Sequence, residues 1–209
     1  MHEKLKETLR SMESDYDGKS FRGIIELVKR DKINDDELLE KIENLSQKRF
    51  RKKVSFTLGV HAGNLLEGLV TVVTLFLAFQ ISSDWVLYLS ALILMATLHP
   101  LSHYVTGRMS GIRFTHYYLN GPAKIEPTLR IDNFSYLKAS GEKRAIMHLS
   151  GVIGTLAGPL IAMVIALGKG ASSAVMNLIV LFLLLIVFEL LTSTKIGDLM
   201  KAKREYGYR

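Results

Sequence analysis

The sequence predicts an all-α membrane protein: four transmembrane helices, a β-hairpin in a cytoplasmic loop between two of them, and a helical N-terminal extension. Three observations predict it. Residues 56–81, 85–105, 145–167 and 174–194 are each apolar over roughly the 20 residues that a helix needs to cross a bilayer. Cationic residues gather beside alternate connections between these stretches instead of spreading along the chain. Before the first stretch, apolar residues recur at helical spacing.

In that extension, residues 1–53, the recurring residues are Leu5, Leu9 and Met12, then Ile24, Leu27 and Val28, then Leu38, Ile42 and Leu45. Asn34 with Glu37 three residues on reads as a capping box that starts the last helix, which is expected to run through Arg49–Lys53 into the first span. About fifty residues bury too little surface for a substantial core of their own. The extension is therefore expected to dock on the cytoplasmic face as an interaction or gating element, or simply to anchor the first span.

Residues 54–194 form the predicted membrane domain. Arg49, Arg51, Lys52 and Lys53 precede the first span, seven cations from Arg108 to Arg144 separate the second and third, and Lys195, Lys201, Lys203 and Arg204 follow the fourth. The short connections at residues 82–84 and 168–170 carry little positive charge. Positive residues stay inside, so both termini, the 106–144 loop and the basic tail 195–209 are assigned to the cytoplasm. A net charge of +7 raises the question of nucleic acid, but the cations lack interleaved aromatic residues. The bilayer, not nucleic acid, is the expected partner of this charge.

In the middle loop, Ile112, Phe114, His116 and Tyr118 alternate with Arg113, Thr115 and Tyr117, a strand pattern. Asn120–Gly121 signals a hairpin turn, and Ala123–Ile131 returns. Pro127 has no N–H to give to a ladder, which puts the returning strand at an edge where an extended peptide can pair.

His99-Pro100-Leu101-Ser102-His103 closes the second span. Histidines four apart share one helix face, the spacing of a two-histidine metal site, and the run reads as H-E-x-x-H with proline in place of the glutamate. His148 at the start of the third span, and Lys195 and Asp198 after the fourth, fall at the same predicted depth. Glu67 shares a face with His61, Asn64 and Thr71 that is expected to point into the bundle, about 18 Å below the histidines at 1.5 Å per residue. On a straight-helix count Glu189 lies around 13 Å from Asp198.

The order of these features resembles the site-2 protease family of intramembrane zinc metalloproteases over about the last two-thirds of the chain. The matching residues are His99 through His103, the strand-bearing loop from Gly111 to Asp132, the Gly158-Pro159 segment, and Gly197-Asp198. The resemblance implies zinc held by His99, His103 and Asp198, with His148 as the alternative third ligand and water in the remaining position. It also implies a locally unwound transmembrane helix as substrate. Three departures stand out. Pro100 cannot serve as the family's general base and is expected to kink the span and disfavour helical geometry at His99. Ala162 stands where the family often has Asn, and Asp198 lacks a preceding Asn-Pro. Glu126, in the hairpin, is the candidate substitute base.

Two functions are therefore expected. One is a membrane zinc endopeptidase impaired by Pro100. The other is a non-catalytic pseudoprotease that binds transmembrane helices or a protein partner. A small transporter ranks behind both, because the chain lacks the internal repeat common to many transporter folds.

Overall fold

The structure, a computed structural model, describes residues 2–120, 126–192 and 197–209. Gly121 of the predicted turn and Lys195 lie outside the described residues.

Helices α1 (His2–Ser11), α2 (Gly18–Arg30) and α3 (Asp36–Lys53) form the N-terminal extension. Asp17 caps α2 by accepting from the Lys19 and Ser20 amides. The cap of α3 is Asp35, which accepts from the Leu38 amide, and not Asn34; Glu37 instead turns outward to Lys6 and Lys41. Nor does α3 run on into the membrane. It ends at Lys53, because Leu58–Gly59 is taken up as strand β1 against Tyr117 and His116, and its backbone groups serve that pairing instead of a helix.

Among the described residues, four helices are long and apolar enough to cross a membrane: α4 (Val60–Gln80), α5 (Asp84–Met109), α7 (Gly141–Gly168) and α8 (Ser172–Thr192). The first begins four residues later than expected, its predicted start having become β1. Helix α5 continues through buried Pro100, and His99 stays helical, contrary to the disfavoured helical geometry expected there. Proline removes one donor, a loss that membrane helices tolerate when packed against neighbours. Here the neighbour is α7, at backbone contact: a Cβ on Gly154 would lie 2.5 Å from the Leu98 carbonyl, and one on Gly158 2.5 Å from the Met95 amide nitrogen.

Strands β2 (Phe114–Asn120) and β3 (Glu126–Ile131) complete a three-stranded antiparallel sheet in the order β1-β2-β3, so β3 is an edge strand as Pro127 requires. A bulge between Phe114 and His116 breaks the predicted alternation: past it Tyr117, not Tyr118, is buried, with its ring over Gly63 of α4. Short helix α6 (Asn133–Lys138) leads into α7, and α9 (Asp198–Tyr206) follows α8. The extension does not carry a core alone. Leu9, Val28, Leu38 and Ile42 share one with Ile112 and Phe114 of the loop, Leu137 of α6 and Met147 of α7. This places α1–α3 at the end of the bundle that holds His99 and His103.

Candidate metal centre

The two histidines of α5 face the first turns of α7. The Nδ1–H of His103 donates to the Met147 carbonyl at 2.7 Å. That of His99 donates to the Gly151 carbonyl at 3.1 Å and lies 2.9 Å from the Thr155 hydroxyl. A carbonyl only accepts, so each neutral ring carries its proton on Nδ1 and presents a bare lone pair on Nε2. Both lone pairs converge on Asp198: its Oδ2 is 3.0 Å from His103 Nε2 and 3.4 Å from His99 Nε2. A lone pair facing a carboxylate is repulsive unless a proton or metal ion stands between them. A tetrahedral ion with bonds of about 2.0–2.1 Å separates its ligand atoms by about 3.3 Å, close to these spacings. Among the described residues, His99, His103 and Asp198 form the one group of three whose donor atoms all lie within 4.8 Å of one another.

Asp198 reaches this point because Gly197, at φ 109°, turns the chain through a conformation that side chains disfavour, and Asp198 then opens α9. Its other oxygen, Oδ1, is 2.8 Å from Lys201 Nζ and 3.6 Å from His148 Nδ1. Burial acts to raise the Asp198 pKa, but a proton between His103 Nε2 and the carboxylate in the ion-free site, the His148 imidazole and Lys201 outweigh it and hold the carboxyl well below the usual carboxylate range. The acid is thus an anion ready to meet a cation.

His148, the alternative third ligand, is buried beside Asp198 but on its far oxygen, and its Nε2 lies 2.9 Å from the Tyr136 hydroxyl. In the tautomer where the Tyr136 O–H donates to Nε2, the proton sits on Nδ1 and faces Oδ1 at 3.6 Å, beyond hydrogen-bond reach but attractive in sign. Glu126, Pro127 and Thr128 of β3 line the same cavity of about 130 Å³ as His99, Pro100 and Asp198. Glu67 is buried elsewhere, in an apolar cavity with Tyr117 and Leu58, while His61, expected on the same inward face, is exposed. The straight-helix distance from Glu189 to Asp198 does not apply, since Asp198 belongs to a separate helix; the two carboxylates are near enough to interact electrostatically.

Sequence reasoning missed Thr155, Gly151 and Lys201. Only the last carried a signal, its i+3 spacing from Asp198 on a helix. The carbonyl acceptors on α7 are tertiary contacts with no residue-type signature.

Comparison with protein-family models, with curated proteins and with solved structures finds no match to this chain.

Proposed function

We propose that this chain is a site-2-protease-like membrane metallopeptidase, acting on membrane-bound substrates and impaired in proton transfer because Pro100 stands at the general-base position. One observation carries the reading: two Nε2 lone pairs, each aimed by a carbonyl on its other nitrogen, meet one carboxylate oxygen at 3.0 and 3.4 Å. Two imidazoles and one carboxylate suit zinc, which when bound would acidify water toward a pKa of about 7 and polarise a peptide carbonyl.

The chain's own residues have separable roles in this reading. His99, His103 and Asp198 bind; Met147, Gly151 and Thr155 orient the rings; His148 and Lys201 hold the free oxygen of Asp198. Glu126, on the cavity wall, accepts the proton that Pro100 cannot. Edge strand β3, which lines the cavity, would hold an unwound stretch of substrate helix extended. The clustering of cations at this end of the bundle supports a cytoplasmic position for it.

The first test is metal content. Detergent-purified protein should hold about one zinc, and His103→Ala should hold none; equal zinc in both defeats the assignment. The second is cleavage of a model membrane substrate. Glu126→Gln should remove what activity the parent has, and Pro100→Glu should raise it by about 10²–10⁴-fold, the range typical of general acid–base catalysis. A specific observation favours a second reading, the pseudoprotease: Pro100 itself lines the cavity where a base belongs. Zinc in the parent with no cleavage by Pro100→Glu supports that reading.

A further inference from the structure

A second polar site lies away from the histidines, where α2, the start of α7 and the end of α9 meet. Its centre is Glu205, fully buried, whose Oε1 is 2.5 Å from Lys29 Nζ and whose Oε2 is 2.7 Å from Arg144 Nε. Lys29 and Arg144 are themselves buried. Two buried cations share one carboxylate, and Arg204 approaches the same Oε1 at 3.6 Å, so positive charge is in excess. Buried charge without a counter-charge is costly.

Lys29 and Arg144 also line a cavity of about 280 Å³, together with Lys32, Lys138 and Arg209. None of its lining side chains is acidic. Lys138 has a partner in Asp36 at 2.7 Å, whereas Lys32 is exposed. The cavity is thus a preassembled receptor for an anion, ordered by Glu205 but not neutralised by it.

Its position says which anion. Gly141 and Arg144, at the start of α7, stand immediately before the apolar run that begins at Ala145, which is headgroup depth. Further along α7, Ala145, Ile146 and Leu149 face Leu199 and Met200 across a largely apolar groove of about 960 Å³ between α7 and α9, with Lys203 and Arg204 also on its wall. A polar, cationic cavity followed along one helix by an apolar groove has the sequence of environments of a phospholipid: headgroup, then acyl chain.

We infer that an anionic phospholipid occupies this corner, its headgroup phosphate in the cationic cavity and an acyl chain in the α7–α9 groove. Basic pockets at the ends of membrane helices are suited to such headgroups. The cavity shares no lining residue with the metal centre, and the inference does not depend on whether the chain cleaves anything.

The test uses full-length protein in non-ionic detergent, with phosphatidylglycerol, phosphatidylcholine and inorganic phosphate as probes. Native mass spectrometry reads retention and thermal unfolding reads stabilisation. Phosphatidylglycerol is expected to be retained and to raise Tm, with little effect from the other two at the same concentration. Lys32→Gln with Arg209→Gln should weaken retention by about fivefold per charge removed. Retention of phosphatidylcholine equal to that of phosphatidylglycerol overturns the headgroup assignment. Stabilisation by inorganic phosphate equal to that by phosphatidylglycerol overturns the lipid in favour of free phosphate. Unchanged retention in a double variant with the parental Tm overturns the site.

Discussion

At Gly151 a hydrogen stands where any other residue would place a carbon 2.2 Å from His103 Nε2. The same residue offers its carbonyl to His99, so one position of α7 both makes room for one ring and aims the other. Gly151→Ala should therefore displace His103 and weaken zinc binding by about 10- to 100-fold, read by competition with a chelator of known affinity. Thr155→Val, which removes one of two partners of His99 Nδ1, should fall at the low end of that range. Affinity equal to the parent's in both would show that these contacts do not orient the rings. At this scale the histidine pair and Asp198 were readable, because ligand chemistry restricts residue type. Their supports were not, since a backbone carbonyl belongs to every residue and its aim is set by helix packing. Tyr117 and Tyr118 exchange faces for a related reason: the bulge beside Thr115 adds a residue that no alternation rule anticipates.

Among the elements, α9 decides whether Asp198 reaches the histidines, and α9 is held at its far end by Glu205 between Lys29 and Arg144. Burial acts to raise the Glu205 pKa, but those two cations prevail and keep it below its ordinary value of 4.5. A carboxyl with a depressed native pKa stabilises the fold fully above its ordinary value, and that stability is lost as the pH falls toward the native value. Thermal unfolding of the parent should therefore show a Tm that drops below about pH 4.5. Glu205→Gln should lower Tm at neutral pH, since leaving buried cations unpaired costs about 3–5 kcal/mol, and should flatten the acid-side drop. An unchanged pH profile in that variant would remove Glu205 from the account. The spans were visible from composition alone, because a bilayer demands length and apolarity and little else. The end of α3 was not, as strand β1 exists through pairing with residues nearly sixty positions away. Likewise α9 lay hidden in what reads as a basic tail, its buried face reduced to Ala202 and Glu205.

Across the whole molecule, the extension, the sheet and α6 share one core on the end of the bundle that carries the candidate metal centre. The convergence of polar residues at one depth was readable from hydropathy and charge, whereas the joint core was not, because the pairing of α1–α3 with the loop is a tertiary choice. The chain has no cysteine, so its topology can be probed with single introduced thiols. In oriented membranes, Lys19→Cys in the extension should react with an impermeant reagent only from the cytoplasmic side, and Ser82→Cys between α4 and α5 only from the opposite side. Reversed labelling would invert the orientation without touching the fold. The central claim, that His99, His103 and Asp198 together hold one ion, is tested most directly by zinc-edge X-ray absorption on full-length protein carrying one equivalent of zinc. The account predicts a four-coordinate shell of nitrogen and oxygen donors at about 2.0–2.2 Å containing two imidazoles, with one imidazole lost in His99→Ala. A shell without imidazole, or one unchanged in that variant, would contradict it.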